Sequence, residues 1–101
     1  MKYLVLLTPV AGKTPDQFAA HMVAEIKHVW ESYTAGELRE FYFSPDPQAV
    51  TLIYEMADRA AVEREVTSLP LIKAGLLDAQ IVQLGSFPQL SVLFDKALIA
   101  P

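Results

Sequence analysis

The chain has 101 residues, 52% of them apolar, a mean hydropathy of +0.27 and a formal charge of −4 from 8 Lys and Arg against 12 Asp and Glu. That composition fits one domain spanning residues 1–101 and excludes a disordered chain, while the few, scattered cations leave no basic patch for nucleic acid. With no cysteine, disulfides, thiolate nucleophiles and cysteine metal sites fall away together, and the reducing cytoplasm is the expected setting.

The opening MKYLVLLTPVAG imitates a secretory leader, but its apolar run from Tyr3 to Leu7 is too short for one, and nothing approaches membrane-spanning length. The run reads as a strand buried on both faces, because every position in it is apolar. Thr14-Pro15-Asp16-Gln17 then supplies a cap hydroxyl, a proline at the first helical position and a capping-box glutamine. A helix is predicted over 15–34, with Phe18, Met22, Ile26, Val29 and Tyr33 as its inward stripe, broadened by Val23 and Trp30, and Gly36 as its left-handed stop.

Two β-prone runs follow, Leu38–Phe43 and Val50–Met56, separated by Ser44-Pro45-Asp46-Pro47-Gln48, whose prolines interrupt a ladder. Asp58 caps a second helix with Val62, Val66 and Leu69 inward and Pro70 as its end. Lys73-Ala74-Gly75 makes a loop, and Leu77–Leu84 is the last strand. The order β-α-β-β-α-β predicts an α+β ferredoxin-like fold, a four-stranded antiparallel sheet with two helices on one face. Because the strands carry apolar residues at both parities, the second face calls for a cover. The simplest is a second copy, in a homodimer or larger assembly, with a core of 1–85 and the apolar tail 86–101 packed at the subunit join.

Both histidines fall in HMVAEIKH, residues 21–28, with Glu25 between them. His21 and His28 sit about 10 Å apart along a helix, too far for one tetrahedral ion, and Glu25-x-x-His28 alone is only half of a di-metal motif, so no metal site is expected. Glu25 and His28 are one turn apart and can tune each other for proton transfer. The ordinary alternative is a solvated flank beside the apolar stripe. Arg39, Glu40 and Glu55 are charges within apolar strands, to be paired or turned to a cavity. Arg39 could take a ligand carboxylate through its fork of donors, and Tyr42 and Tyr54 could lend hydroxyls, although aromatic residues in strands are more often core.

With Leu69-Pro70-Leu71 after the second helix and Glu25 eleven residues before Gly36, the chain resembles the muconolactone isomerase family of the dimeric α/β-barrel superfamily. The resemblance implies a barrel of two sheets, a pocket between helix and sheet, a double bond that migrates by proton removal and return, and no cofactor. Glu25 matches the family's acidic helix position, and Arg39 a basic residue three positions after the glycine. Glu40, the run Phe41-Tyr42-Phe43 and the tail depart from the family's pattern. The expected function is a cofactor-free isomerase or proton-transfer enzyme acting on a small carbonyl or lactone compound, with Glu25 and His28 catalytic and Arg39 and Tyr42 binding substrate. A non-catalytic ligand-binding or assembly module, or a cofactor-independent oxygenase, are the alternatives.

Overall fold

The structure, a computed structural model, describes residues 1–99. Its elements run β1 (Lys2–Pro9), α1 (Pro15–Thr34), β2 (Leu38–Pro45), β3 (Gln48–Glu55), α2 (Arg59–Ser68), α3 (Pro70–Lys73), β4 (Leu77–Leu84), a 3₁₀ segment (Pro88–Phe94) and α4 (Lys96–Ile99). The sheet order is β2-β3-β1-β4 with every neighbouring pair antiparallel, the ferredoxin-like arrangement that the element order requires.

Local chemistry places the boundaries. The Thr14 backbone N–H donates to Gln17 Oε1 at 2.8 Å with Pro15 at the first helical position, so α1 starts where the capping box puts it. Gly36, at φ +82°, ends it in a conformation that costs a residue with a Cβ. Asp58 Oδ1 accepts from the Ala61 N–H at 2.8 Å and opens α2. The strands β2 and β3 extend further toward each other than the prolines suggest, to a Pro45↔Gln48 pair, leaving only Asp46 and the cis-linked Pro47 between them. Pro45 is tolerated because β2 lies at the sheet edge, where one row of N–H groups has no partner to lose. Pro70 ends α2 but also begins the short helix α3.

Tyr3, Val5 and Leu7 on β1 meet Tyr54, Leu52 and Val50 on β3, and this face carries the core with Leu38, Val62, Val66 and Leu69. The opposite parity, Leu4 and Leu6 opposite Ile53, Thr51, Val82 and Gln80, forms the face turned away from the helices. Leu38 and Phe41 belong to the helix-side face although they lie three positions apart, a step that would put them on opposite faces of a regular strand. The register of β2 slips between Leu38 and Glu40, so a bulge at Arg39 reverses which side chains point inward.

The first helix is rotated from the expected stripe. Glu25 and Ser32 are its buried residues, with Phe18 and Val29 partly buried, whereas Ile26 and Trp30 are 60% exposed and Val23 is 82% exposed. Two polar residues take core-facing positions that composition alone assigns to apolar neighbours. The tail does not fold back on the sheet: Phe87, Leu90, Leu93, Phe94 and Leu98 are exposed, and the chain measures 62 × 30 × 19 Å. Residues 100–101, included in the expected tail, lie outside the described residues.

Leu52 sits in the middle of the core at 1% exposure. Leu52→Ala is expected to lower stability by about 2–5 kcal/mol, the usual range for a buried leucine truncation, in urea unfolding followed by circular dichroism.

Candidate active site

A cavity of about 400 Å³ lies between α1 and the sheet. Helix α1 contributes Phe18, Met22, Ile26 and Val29, the bulged edge strand β2 contributes Phe41 and Phe43, and Leu7, Val50 and Leu52 form the floor. The bulge is what turns Phe41 and Phe43 toward it. Glu25 and Gln48 are the polar side chains among its lining residues, and Glu25 is the one that ionises.

Glu25 is 7% exposed, and its Oε1 accepts the Leu71 backbone N–H at 2.9 Å. Leu71 is the second residue of α3, so its N–H has no partner within that helix, and the carboxylate satisfies it from another element. Burial drives the Glu25 pKa above the ordinary 4.5, outweighing the opposing effects of the Leu71 N–H and the nearby His28 ring. A carboxyl in that condition holds or yields a proton closer to neutrality than a surface glutamate, the property required of an acid/base group.

His28 faces the second helix. Its Nε2 lies 2.8 Å from Glu65 Oε1 and 3.1 Å from Ser68 Oγ, and that hydroxyl donates to the Glu65 carbonyl at 2.6 Å. The ring is thereby oriented from α2, and Glu25 and His28 stand on neighbouring turns of α1. Beneath lies Tyr54, fully buried, its hydroxyl without a protein partner. Desolvation, then the carboxylates of Glu65, Glu25 and Glu37, hold its phenol well above its ordinary pKa, so it stays neutral. Ser32 Oγ, on the same flank of α1, is likewise buried without a protein partner.

Of the residues expected to bind substrate, Arg39 and Tyr42 lie outside this cavity. Arg39 is exposed at the bulge, its Nε donating to the Gly36 carbonyl at 2.6 Å. Tyr42 shares the parity that faces away from the helices, and its hydroxyl donates to Glu40 Oε1 at 2.7 Å, a bond that raises its pKa. Glu55 takes the N-terminal ammonium at 3.0 Å. His21 is half-buried one turn before Glu25.

Glu65, Ser68, Ser32 and Gln48 were not singled out by motif. A signal for part of this set exists in the chain: His21, Glu25, His28 and Ser32 step by four, three and four, a polar stripe with helical period, and Glu65-x-x-Ser68 has matching one-turn spacing on α2. No group of three or more His, Asp or Glu side chains arranged to hold a metal ion occurs among the described residues. None of their helices is long and apolar enough to cross a membrane.

The chain superposes on 5-chloro-2-hydroxyhydroquinone dehydrochlorinase from Burkholderia phenoliruptrix, solved in complex with 2,5-dihydroxybenzoquinone, with a TM-score of 0.71 and 15% identity over 88% of this chain and 98% of that one. It also superposes on muconolactone isomerase, with a TM-score of 0.65 and 21% identity over 87% of this chain and 92% of that one. No family model and no curated sequence matches it. The ferredoxin-like fold is therefore shared with muconolactone isomerase, and the chemistry must be argued from the cavity.

The raised Glu25 pKa has a definite consequence for stability. The folded chain holds that proton more tightly than the unfolded chain, so Glu25's contribution is intact below pH 4.5 and is lost as pH rises through the raised value. Glu25→Gln removes that slope while a Gln oxygen can still accept the Leu71 N–H. The variant is expected to gain stability relative to the parent between pH 4 and pH 7, as measured by urea midpoints at the two pH values.

Proposed function

We propose that this chain is a cofactor-free enzyme that moves a proton on a small carbonyl or lactone compound, as an isomerase does, with Glu25 as the group that takes and returns the proton. The observation that carries this reading is Glu25, 7% exposed, the one ionisable side chain in the wall of a largely apolar cavity. Removal of a proton next to a carbonyl produces an enolate. A carboxyl with a raised pKa, excluded from water, can take that proton and deliver it one or two atoms further along the conjugated system. His28, held by Glu65 and Ser68, adjusts the charge near Glu25. Arg39 and Tyr42 have no part in the transfer in this reading.

The same reading includes a second copy of the chain. Val23, Ile26 and Trp30 on α1 and the apolar side chains of the tail are exposed, and bare apolar side chains in such number favour a covering partner. A neighbour whose tail lies across such a surface would cover both, and would close the side of the cavity where Phe43 is 64% exposed. A ligand-binding module is favoured over an enzyme by one observation, the scarcity of polar groups in the cavity wall. The two separate on turnover.

In D₂O at pH 7, the protein is expected to accelerate deuterium incorporation into, or isomerisation of, an unsaturated γ-lactone followed by proton NMR. Glu25→Gln should lower that rate by about 10²–10⁴-fold, the range for loss of a general acid or base. His28→Gln should displace the pH profile, and His21→Gln should leave the rate within about twofold, given that general-base effects are confined to groups within reach of the proton. A parent protein no faster than its Glu25→Gln variant sinks the enzymatic reading. Light scattering is expected to give at least twice the 11.2 kDa chain mass, and deletion of residues 87–101 is expected to loosen the assembly on dilution while leaving the circular dichroism of the sheet and helices in place.

A further inference from the structure

The cavity's charge inventory limits its ligand more sharply than its size does. Among the described residues that line it, none is Lys, Arg or His, and the one ionisable side chain is the acid Glu25. Its carboxylate oxygen is committed to the Leu71 N–H, not to a cation. A carboxylate-bearing ligand seated against Phe18, Met22 and Phe41 would lose its hydration and find no counter-charge, and with Glu25 ionised it would face a like charge as well. A neutral ring meets none of these penalties. It gains the aromatic and aliphatic contacts of the wall, and one carbonyl or hydroxyl oxygen can be met by the Glu25 carboxyl or the Gln48 amide.

His28 stands behind Glu25, outside the lining and engaged by Glu65, and an ammonium stands farther out. A second hollow, of about 490 Å³, shares Pro9, Phe18, Met22 and Gln48 with the first and adds Lys13, which is exposed. That hollow reads as the mouth of the site, where water screens the ammonium and it cannot neutralise an anion seated beside Glu25. Arg39, the residue suited to grip a carboxylate, is turned to the Gly36 carbonyl instead.

We infer that the site selects an uncharged, largely apolar carbonyl or phenolic compound of one or two rings and rejects the corresponding carboxylate. The inference builds on the placement of the proposed active site in this cavity, but it concerns binding and does not require turnover. The structure that carries it is the set of wall residues, in which an acid has no cationic counterpart.

The test compares two ligands of nearly equal shape, 2-acetonaphthone and 2-naphthoate, by equilibrium dialysis against the intact protein at pH 7. The neutral ketone is expected to bind at least about tenfold more tightly, a preference equivalent to about 1.4 kcal/mol. Glu25→Gln should improve naphthoate binding and so narrow the preference, since the like charge in the wall is gone. Met22→Trp, checked for a native circular dichroism spectrum, should abolish ketone binding by filling the cavity. Equal or tighter binding of naphthoate overturns the inference, as does failure of both ligands to bind at millimolar concentration or undiminished ketone binding in a folded Met22→Trp protein. Proton NMR of the ketone's methyl group in D₂O reads the reaction separately. Preferential ketone binding without methyl exchange supports the selectivity and counts against the enzymatic reading, whereas tighter naphthoate binding rejects the selectivity whatever the exchange rate.

Discussion

The hydrogen bond from the Leu71 N–H to Glu25 organises the helical layer of this protein. It joins the middle of α1 to the first turn of α3 through two residues 46 positions apart in the chain. Without it a buried carboxylate and an orphan helix N–H would both be left unsatisfied, each at a cost of about 1–3 kcal/mol or more. With it, the acid is held at the wall of a cavity instead of swinging toward solvent. The rotation of α1 follows from the same contact. Once Glu25 faces inward, the residues on its helical flank turn with it, His28 toward Glu65 on α2 and Ser32 into the interior.

That rotation has a cost in exposed apolar surface. Val23 and Trp30, which an apolar stripe would place in the core, lie on the outside instead, and Trp30, Tyr33 and Phe41 form a chain of ring contacts at centroid distances of 5.8 and 5.3 Å. A polar site on the inner face of a helix in so small a domain displaces hydrophobic side chains outward, because one helix cannot give the same positions to both. The exposed tail adds to the same surplus.

The edge strand makes a second, independent contribution. A regular β2 would point Glu40 and Tyr42 at the helices with Leu38; the slip at Arg39 sends Phe41 and Phe43 there and leaves the polar pair Glu40 and Tyr42 on the far side. One extra residue in a strand thus decides whether the cavity is aromatic or charged. The likeness to muconolactone isomerase and to the dehydrochlorinase, at 21% and 15% identity, extends to the backbone path. The electrostatics of the wall belong to the side chains of this chain alone.

Much of the architecture is legible from local rules. The capping box at Thr14 and Gln17, the stop at Gly36, the cap at Asp58 and the run Leu77–Leu84 all mark boundaries through chemistry confined to a few neighbouring residues, and the β-α-β-β-α-β order leaves few ways to arrange a sheet. The pairing of Glu25 and His28 on one helical flank was likewise readable from their spacing. The apolar neighbours Phe18, Met22 and Ile26 also pointed Glu25 at a pocket between helix and sheet, where it lies; hydrophobic periodicity, which assigns polar residues to solvent, did not show how far the helix turns inward, because that depends on a partner as distant as Leu71. The β2 bulge was hidden for a related reason: LREFYF is compatible with either register, and the choice comes from β3 and the helix packed above it. The sequence by itself determined the elements, their ends and their order, since these depend on interactions within a turn or two of the chain. Only the tertiary structure decided which side chains share the cavity, since burial of a polar group and the parity of a strand depend on contacts made by residues far apart in sequence.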